Sequence, residues 1–473
     1  MRRWIIGTGV ALTVLFLGAR GYISGHAEGY LREVLDSYNR MQRGELRLVL
    51  DSFEGGWSGA EASIRVLIPD GKDGESFRDP LLLDLTVDYG PFFFRELTPG
   101  LIRIGSSGTL SGWLNEPAKK RFLERVPEDI LYRYRSVMDW WHVLHEKIGL
   151  SRIDARDENA REQVRLEPAE IRSDFLLDTL RGRAEFFNRL VVLFNGRSGE
   201  KVELENLRLE AAVDEFDAAG AVWGRMRLFA EEIRATLKRP EKRLFRAAAE
   251  GRVALRRQGP GLATFTLEGS GEALNAAVLE EWNGVRKARL KLRIESLGSA
   301  GVEKFAALQR QRQRLRRELT RATRRGDDAA MQRAILGLQA LDASWIDAYN
   351  ALLIPGKTRI VIDEVLSGEK ESRLYADLRY TGERLPKHPL DAAASLMTHL
   401  DRLAEGDFEV TMEKRLLARL SPEAASLFDS MVRRGLASLR ESVYHLRGRI
   451  EKGKIVIEGT RYAPRELLMM ILI

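Results

Sequence analysis

The chain of 473 residues contains no cysteine. That absence excludes disulfides, thiolate metal sites, a cysteine nucleophile and a lipidated N-terminal cysteine, without deciding the compartment. Histidine is scarce, with six in all. The closest pair stands in "HVLHE", where a helical reading puts His142, His145 and Glu146 on adjacent positions. A zincin has its glutamate directly after the first histidine, and that order is missing here. The expectation is therefore a surface pair, or a pair packed beside Trp140 and Trp141, rather than a metal centre. No serine sits in a G-x-S-x-G elbow, and no serine-x-x-lysine set accompanies one. "GPG" at 259–261 and "GSG" at 269–271 read as hairpin turns. Neither opens a helix after a buried strand, as a phosphate loop does. The carboxylates are scattered, so no acid/base pair stands out. No catalytic residue, cofactor or metal is assigned, and the expectation is a protein that is not an enzyme.

Apolar residues make up 44% of the chain and charged residues 31%, which places it among folded globular proteins. The net charge of +7 is compatible with anionic partners but does not select one. At the N-terminus, Arg2 and Arg3 precede the uncharged run Trp4–Ala19. The run is long for a signal-peptide core of about 7–15 residues and short for a full span of about 20. Extension through Gly21, Tyr22 and Ile23, with Arg20 snorkelling, makes up the difference. "LGARG" is a poor cleavage site, which favours an uncleaved signal anchor with the two arginines inside. The remaining chain is then exported.

Residues 26–43 have helical spacing in Tyr30, Leu31, Val34, Leu35 and Tyr38. Strand alternation follows. Leu46, Leu48 and Leu50 and then Ala60, Ala62, Ile64, Val66 and Ile68 predict a hairpin around Gly55–Gly56. Similar runs recur at 202–213, where the phase slips at Asn206 as a bulge would cause, and at 263–267, 288–294, 374–380, 408–412 and 455–457. Alternation of this kind marks antiparallel sheets with one apolar face. Three regions break it. Residues 117–148 read as helical after Pro117 and again around "RYRSVMDWWHVLHEK"; residues 168–195 read as mixed and partly helical. Residues 302–353 read as a helical hairpin turning at Gly326-Asp327-Asp328. Shorter helices are expected at about 390–404 and at 421–439, the second with Ser421 as N-cap and Pro422 in the first turn.

The densest charge is "RQRQRLRRELTRATRR", eight arginines countered by Glu318. One reading is a solvated helix flanking an apolar seam. The sharper reading makes Arg310, Arg314, Arg317, Arg321 and Arg324 a contact for anionic lipid headgroups, lipopolysaccharide phosphates or a protein partner. Nucleic acid is not expected, because export removes it and no aromatic residues interleave. The apolar tail Leu467–Ile473 is too short to span a bilayer and is expected to be buried as a last strand or helix.

Several stretches together resemble the YdgA-like family of bacterial envelope proteins, a domain of unknown function. Phe53, Gly56 and Trp57 match its opening aromatic–Gly–Trp motif, with Ser58 and Ala60 as the small residues that follow. Leu352, Leu353 and Pro355, then Ile360, Ile362, Leu374, Ala376 and Leu378, match its helix end and following hairpin. "VYHLRGRIEKGKIVIEGT" resembles its closing hairpin, with Glu458 where the family commonly has asparagine. The resemblance implies a single-pass inner-membrane protein with a β-rich periplasmic domain and no catalytic residues to carry over.

The expected fold is α+β: an N-terminal transmembrane helix, then extended antiparallel meanders with an inserted helical hairpin. The segments are an anchor at 1–23, a linking helix at 24–43, a β-rich region at 44–301, the hairpin at 302–353 and a β/α region at 354–473. Trp57 is expected to fold back as a cap on the end of the apolar face. Such a face is either covered by a second sheet or by helices, or left as an open groove for acyl chains. Lipid binding or passage is the first functional expectation, by analogy of architecture with the AsmA-like group, and an envelope interaction factor is the second. Expected partners are the inner membrane, lipid or lipopolysaccharide, and envelope proteins.

Overall fold

A computed structural model of the chain describes residues 2–42, 47–57, 59–67, 77, 79–93, 98–157, 161–217, 221–238, 242–388, 391–392 and 403–463. It has two compact units, Met1–Glu215 and Phe216–Ile473. Both are α+β, and their strands pair antiparallel.

The first unit opens with α1 (Arg2–Gln42), a single helix across the expected boundary between anchor and linking helix. Among the described residues no helix is long and apolar enough to cross a membrane. The strands are β1 (Arg47–Gly55), β2 (Gly59–Leu67), β3 (Leu82–Tyr89), the short pair β4 (Phe92–Phe93) and β5 (Thr98–Pro99), and β6 (Ile102–Thr109). After α2 (Glu116–Arg125) come β7 (Leu131–Met138), β8 (Val143–Leu150), β9 (Ile153–Arg156), β10 (Glu162–Leu166), β11 (Ala169–Leu176), β12 (Arg181–Asn195) and β13 (Glu200–Phe216). The sheet order is β1-β2-β3-β6-β7-β8-β11-β12-β13, with the β9–β10 hairpin on the second half of β12.

The first hairpin forms as expected: Leu50 faces Ile64 and Gly55 faces Ala60, with one bulge near Asp51. The helix expected after Pro117 forms as α2, with Asn115 as its cap accepting the Ala118 amide at 3.0 Å and with its end at Arg125. Two other expectations in this unit are corrected. "RYRSVMDWWHVLHEK" is not helical but the β7–β8 hairpin, with Met138 facing Leu144. Residues 169–195 are likewise two strands, not a partly helical segment. In each case partner strands decided: β6 pairs with the whole of β7, and β8 with the whole of β11. Asn206 takes φ +50 without inserting a residue, since Asn188 faces Leu207 and Leu190 faces Glu205.

The apolar stripe of α1, Ile23, Ala27, Leu31, Val34 and Leu35, lies on one face of this sheet. It packs against Ala62 and Ile64 of β2, Leu85 and Val87 of β3, Ile102 and Ile104 of β6, Met138 and Leu144. Leu31 and Ile102 are 0% exposed. Hydrogen bonds fix the helix at its far end: Asn39 exchanges two with Leu48 of β1, and Ser37 and Arg40 donate to the Leu177 carbonyl.

The second unit runs β14 (Val222–Lys238), β15 (Lys242–Gly259), β16 (Leu262–Ala273), α3 (Ala276–Glu281) and β17 (Lys287–Gly298). The expected helical hairpin follows as α4 (Ser299–Arg325) and α5 (Asp328–Leu352). Gly326, at φ +66, ends α4 in the left-handed conformation that glycine adopts without strain, and Asp327 caps α5. Next come β18 (Arg359–Ser367), β19 (Glu371–Tyr380), β20 (Ala404–Glu413), α6 (Lys414–Leu420), α7 (Pro422–Arg433), β21 (Ser438–Arg440), β22 (Val443–Glu451), β23 (Lys454–Ile457) and β24 (Thr460–Tyr462). Strands β14 to β20 are neighbours in chain order, and β22, β23 and β24 continue the sheet.

Ser421 caps α7 and Pro422 stands in its first turn, as expected, but the helix stops at Arg433 and β21 takes over before residue 439. "GPG" is the β15–β16 turn. "GSG" is not a turn: Gly269 and Gly271 lie inside β16, paired with Gly251 and Ala249 on one side and with Leu290 and Ala288 on the other. Most of the helix expected at 390–404 and all of the tail Leu467–Ile473 fall outside the described residues, while Ala404 opens β20.

Candidate functional site

The register of the second sheet separates its faces. One carries matched charges, most of them paired across strands. Arg227 and Arg252 pair with Glu250, Lys291 with Glu268, Arg373 with Asp363, and Arg449 with Asp407. The other is apolar and organised in rows perpendicular to the strands. One row is Met226, Val253, Leu267, Leu292, Ile362, Ala376 and Phe408. The next is Leu228, Gly251, Gly269, Leu290, Glu364, Leu374 and Val410.

Helices cover this apolar face at its margins. Over β20–β23, α7 places Phe428 and Met431 on Phe408, Val410, Leu446 and Ile457. At one end of β15–β17, the base of the hairpin brings Val302, Ala306, Leu352 and Leu353 onto Leu255, Phe265 and Ile294. Near the other end the Trp282 ring stands over Gly271, where an added Cβ would meet it at 3.2 Å. The middle stays open among the described residues. Met226, Leu228 and Leu290 are 45%, 46% and 40% exposed. Val253, Leu267, Leu292, Ile362, Leu374 and Ala376 are only partly buried. A Cβ built on Gly251 or Gly269 meets nothing within 4 Å, so the floor between Leu228 and Leu290 is clear.

The residues singled out in the sequence fall elsewhere. Phe53 packs against the α1-covered core. Gly55 rather than Gly56 is the constrained glycine, and by crowding rather than by positive φ: an added Cβ would stand 3.0 Å from the Phe53 ring and 3.2 Å from the Tyr89 hydroxyl. Gly56 closes the turn through its amide, which donates to the Gly59 carbonyl at 2.8 Å. Trp57 is not a buried cap. It is 58% exposed, with its ring edge over Gly21 of α1. A ring of that size at a hairpin tip has few core neighbours to reach.

Arg310, Arg314 and Arg317 are exposed along α4, while Arg321 is partly buried. Arg314 pairs with Glu318 at 3.0 Å. Arg324 belongs to the helix, and its side chain lies outside the described residues. The seam predicted for the hairpin forms, with Phe305, Leu308 and Leu315 of α4 against Leu341, Trp345 and Ala348 of α5.

His142 and His145 do not meet at a shared centre. His142 Nδ1 lies 2.7 Å from Glu33 of α1, and His145 Nδ1 lies 2.7 Å from Asp174 of β11. Although burial raises it, hydrogen bonds from His145 and Arg183 hold the Asp174 carboxyl below its ordinary value. Trp140 and Trp141 are both exposed, so neither packs over the pair as expected. No group of three metal-ligating side chains comes together among the described residues.

Sequence reading weighed Glu146 only beside the two histidines and missed its enclosure by hydroxyls. It sits on the α1 side of the sheet, where the Tyr134 and Ser173 hydroxyls donate to it at 3.0 and 2.7 Å and Tyr38 of α1 donates as well. Burial pushes it up to about 7, against the lowering effect of the Ser173 bond. Its partners are hydroxyls from β7, β11 and α1, and among the described residues no nucleophile–base pair is built around it. An open recess of about 630 Å³ lies on the opposite face of that sheet, between Glu54, Glu61 and Asp84 on one side and Arg133 and Arg135 on the other.

No family model matches the chain, and no curated protein or solved structure does. The fold and surface therefore define an α+β protein whose second unit presents a one-sided apolar sheet, open over β14–β19 among the described residues.

Proposed function

We propose that this chain is a non-enzymatic bacterial cell-envelope protein that binds or passes lipid, receiving acyl chains on the open apolar face of its second unit. The open face over β14–β19 is the observation that carries the reading. Soluble monomers rarely leave contiguous apolar patches larger than a few hundred Å² in water. Burial of an acyl chain there gains about 0.8 kcal/mol per methylene, and the opposite face carries the matched charges.

In this reading α1 is a single-pass anchor in the inner membrane, and both sheets lie on the periplasmic side. Arg2, Arg3 and the uncharged run that follows support it. So do the exposed rings of Tyr22 and Trp57, which stand on or beside α1 just past that run, where aromatic side chains suit a membrane–water boundary. The resemblance to the YdgA-like family, carried by Phe53, Gly56 and Trp57, points the same way.

The test is mass spectrometry of lipids retained by the purified chain, compared between the wild type and Leu228→Ser/Leu290→Ser. Retained acyl lipid that falls several-fold in the variant is the expected result. Lipid-free wild-type protein that is fully folded would overturn the reading. It would favour an interaction factor using the exposed Arg310, Arg314 and Arg317, a role that crosslinking after charge reversal of Arg314, Arg317 and Arg321 would detect.

A further inference from the structure

The two central apolar rows over β14–β19 carry one charged side chain, Glu364 of β18. Register places it between Leu290 of β17 and Leu374 of β19. Its neighbours along β18 on the same face are Ile362 and Leu366, and its diagonal neighbours include Leu292, Ala288 and Ala376. Among the described residues it makes no hydrogen bond and no ion pair. The contrast with the other face of the same strands is sharp. There Asp363, one residue away, takes two bonds from Arg373, and Asp377 takes two from Arg359. On the polar side basic side chains answer Asp363, Asp377 and Glu268, and none answers Glu364.

A carboxylate amid apolar side chains is costly unless a cation answers it, and charge-assisted hydrogen bonds are the strong ones. The row that contains Glu364 begins at Leu228 and crosses the clear floor of Gly251 and Gly269 to Leu290, next to Glu364. We propose that Glu364 is the headgroup contact of this face, and that its ligand is an amphiphile bearing an ammonium group, with the tail along the Leu228–Leu290 row and the N–H donors on the Glu364 carboxylate. This rests on the reading of the face as an acyl-chain site and adds the class of head it selects.

The proposal runs against the charge of the whole chain, which makes it discriminating. With 76 basic and 69 acidic residues, non-specific attraction favours anionic amphiphiles. A preference for a cationic head must come from a local group.

Native mass spectrometry of the full chain tests it, with dodecylamine, dodecanol and dodecanoic acid as probes of one chain length. The wild type is expected to bind the amine about tenfold more tightly than the alcohol. Glu364→Gln should erase that preference while leaving dodecanol binding unchanged, and Leu290→Ser should weaken all three. Thermal melts establish that each variant is folded. A preference for the amine that persists in Glu364→Gln, or no preference in the wild type, overturns the headgroup assignment and leaves the acyl site standing. If no probe binds the wild type, the acyl site itself fails.

Discussion

In the first unit Ile102 and Ile104 of β6 are sealed under α1, whereas in the second Leu290 of β17 keeps 40% of its surface in solvent. The two strands are alike in alternation and in having partners on both sides. The difference is what lies above them. In the first unit one long helix crosses the apolar face and is fastened at its end by Asn39, Ser37 and Arg40. In the second the helices cover margins: α7 over β20–β23, the hairpin base at one end of β15–β17, and Trp282 near the other. A period of two establishes that a strand has an apolar side, and the coverage of that side is a separate structural decision.

The sharpest way to break the comparison is a matched pair of truncations. Leu31→Ala, in the stripe of α1, should cost about 2–5 kcal/mol in urea unfolding, because it opens a cavity in a closed core. Leu290→Ala should cost less, about 1 kcal/mol, because 40% of the leucine is already in solvent and its truncation opens no closed cavity. Equal losses would mean that the second face is covered in solution.

The two units also place their most displaced carboxyls oppositely. Glu146 of the first unit is raised to about 7 by burial under α1. Glu232 of the second, in the bulge of β14, is lowered to about 2 by hydrogen bonds from Arg246 and Arg234. A raised carboxyl binds its proton more tightly in the folded state, so its contribution is full below about 4.5 and is lost as pH climbs through 7. A lowered one contributes above about 4.5 and is lost as pH falls toward 2. Glu146→Gln should therefore recover up to about 3 kcal/mol at pH 8 relative to the wild type and change little at pH 4. Glu232→Gln should destabilise by about 1–2 kcal/mol at neutral pH, with the deficit vanishing in acid. Urea midpoints for both variants across this range give the two slopes. The same sign for both would remove the contrast.

Much of this was legible in local pattern. Leu48–Leu50 with Ala60–Val66, the hairpin turning at Gly326, and Ser421-Pro422 at a helix start need only neighbours in sequence. The failures share a cause in long-range pairing. Val137, Met138, Trp141, Leu144 and Ile148 fit a helix, yet Tyr132, Tyr134, Ser136 and Met138 fit a strand equally well, and β6 and β11 settle the matter from elsewhere in the chain. The enclosure of Glu146 was invisible because Tyr38, which helps to form it, is 108 residues away. Glu364 did leave a signal. In Ile360–Ile362–Glu364–Leu366 a charge interrupts an apolar phase, and that interruption is where the candidate ligand contact lies.

Trp57 gives the smallest expected effect and a direct test of whether the tip of the first hairpin is part of the core. A buried cap would cost about 3–5 kcal/mol on truncation. A ring 58% exposed, touching α1 only at Gly21 along its edge, should cost under about 1 kcal/mol in Trp57→Ala, read from urea unfolding of the full chain. If Trp57 instead serves as an aromatic residue at a membrane boundary, the variant should keep its stability in detergent while its indole fluorescence difference from the wild type shifts to the blue when the chain is moved into lipid vesicles. A large loss of stability would place the ring inside the core after all. A difference spectrum that does not move on transfer would take Trp57 away from the bilayer and leave the Gly21 contact as its whole role.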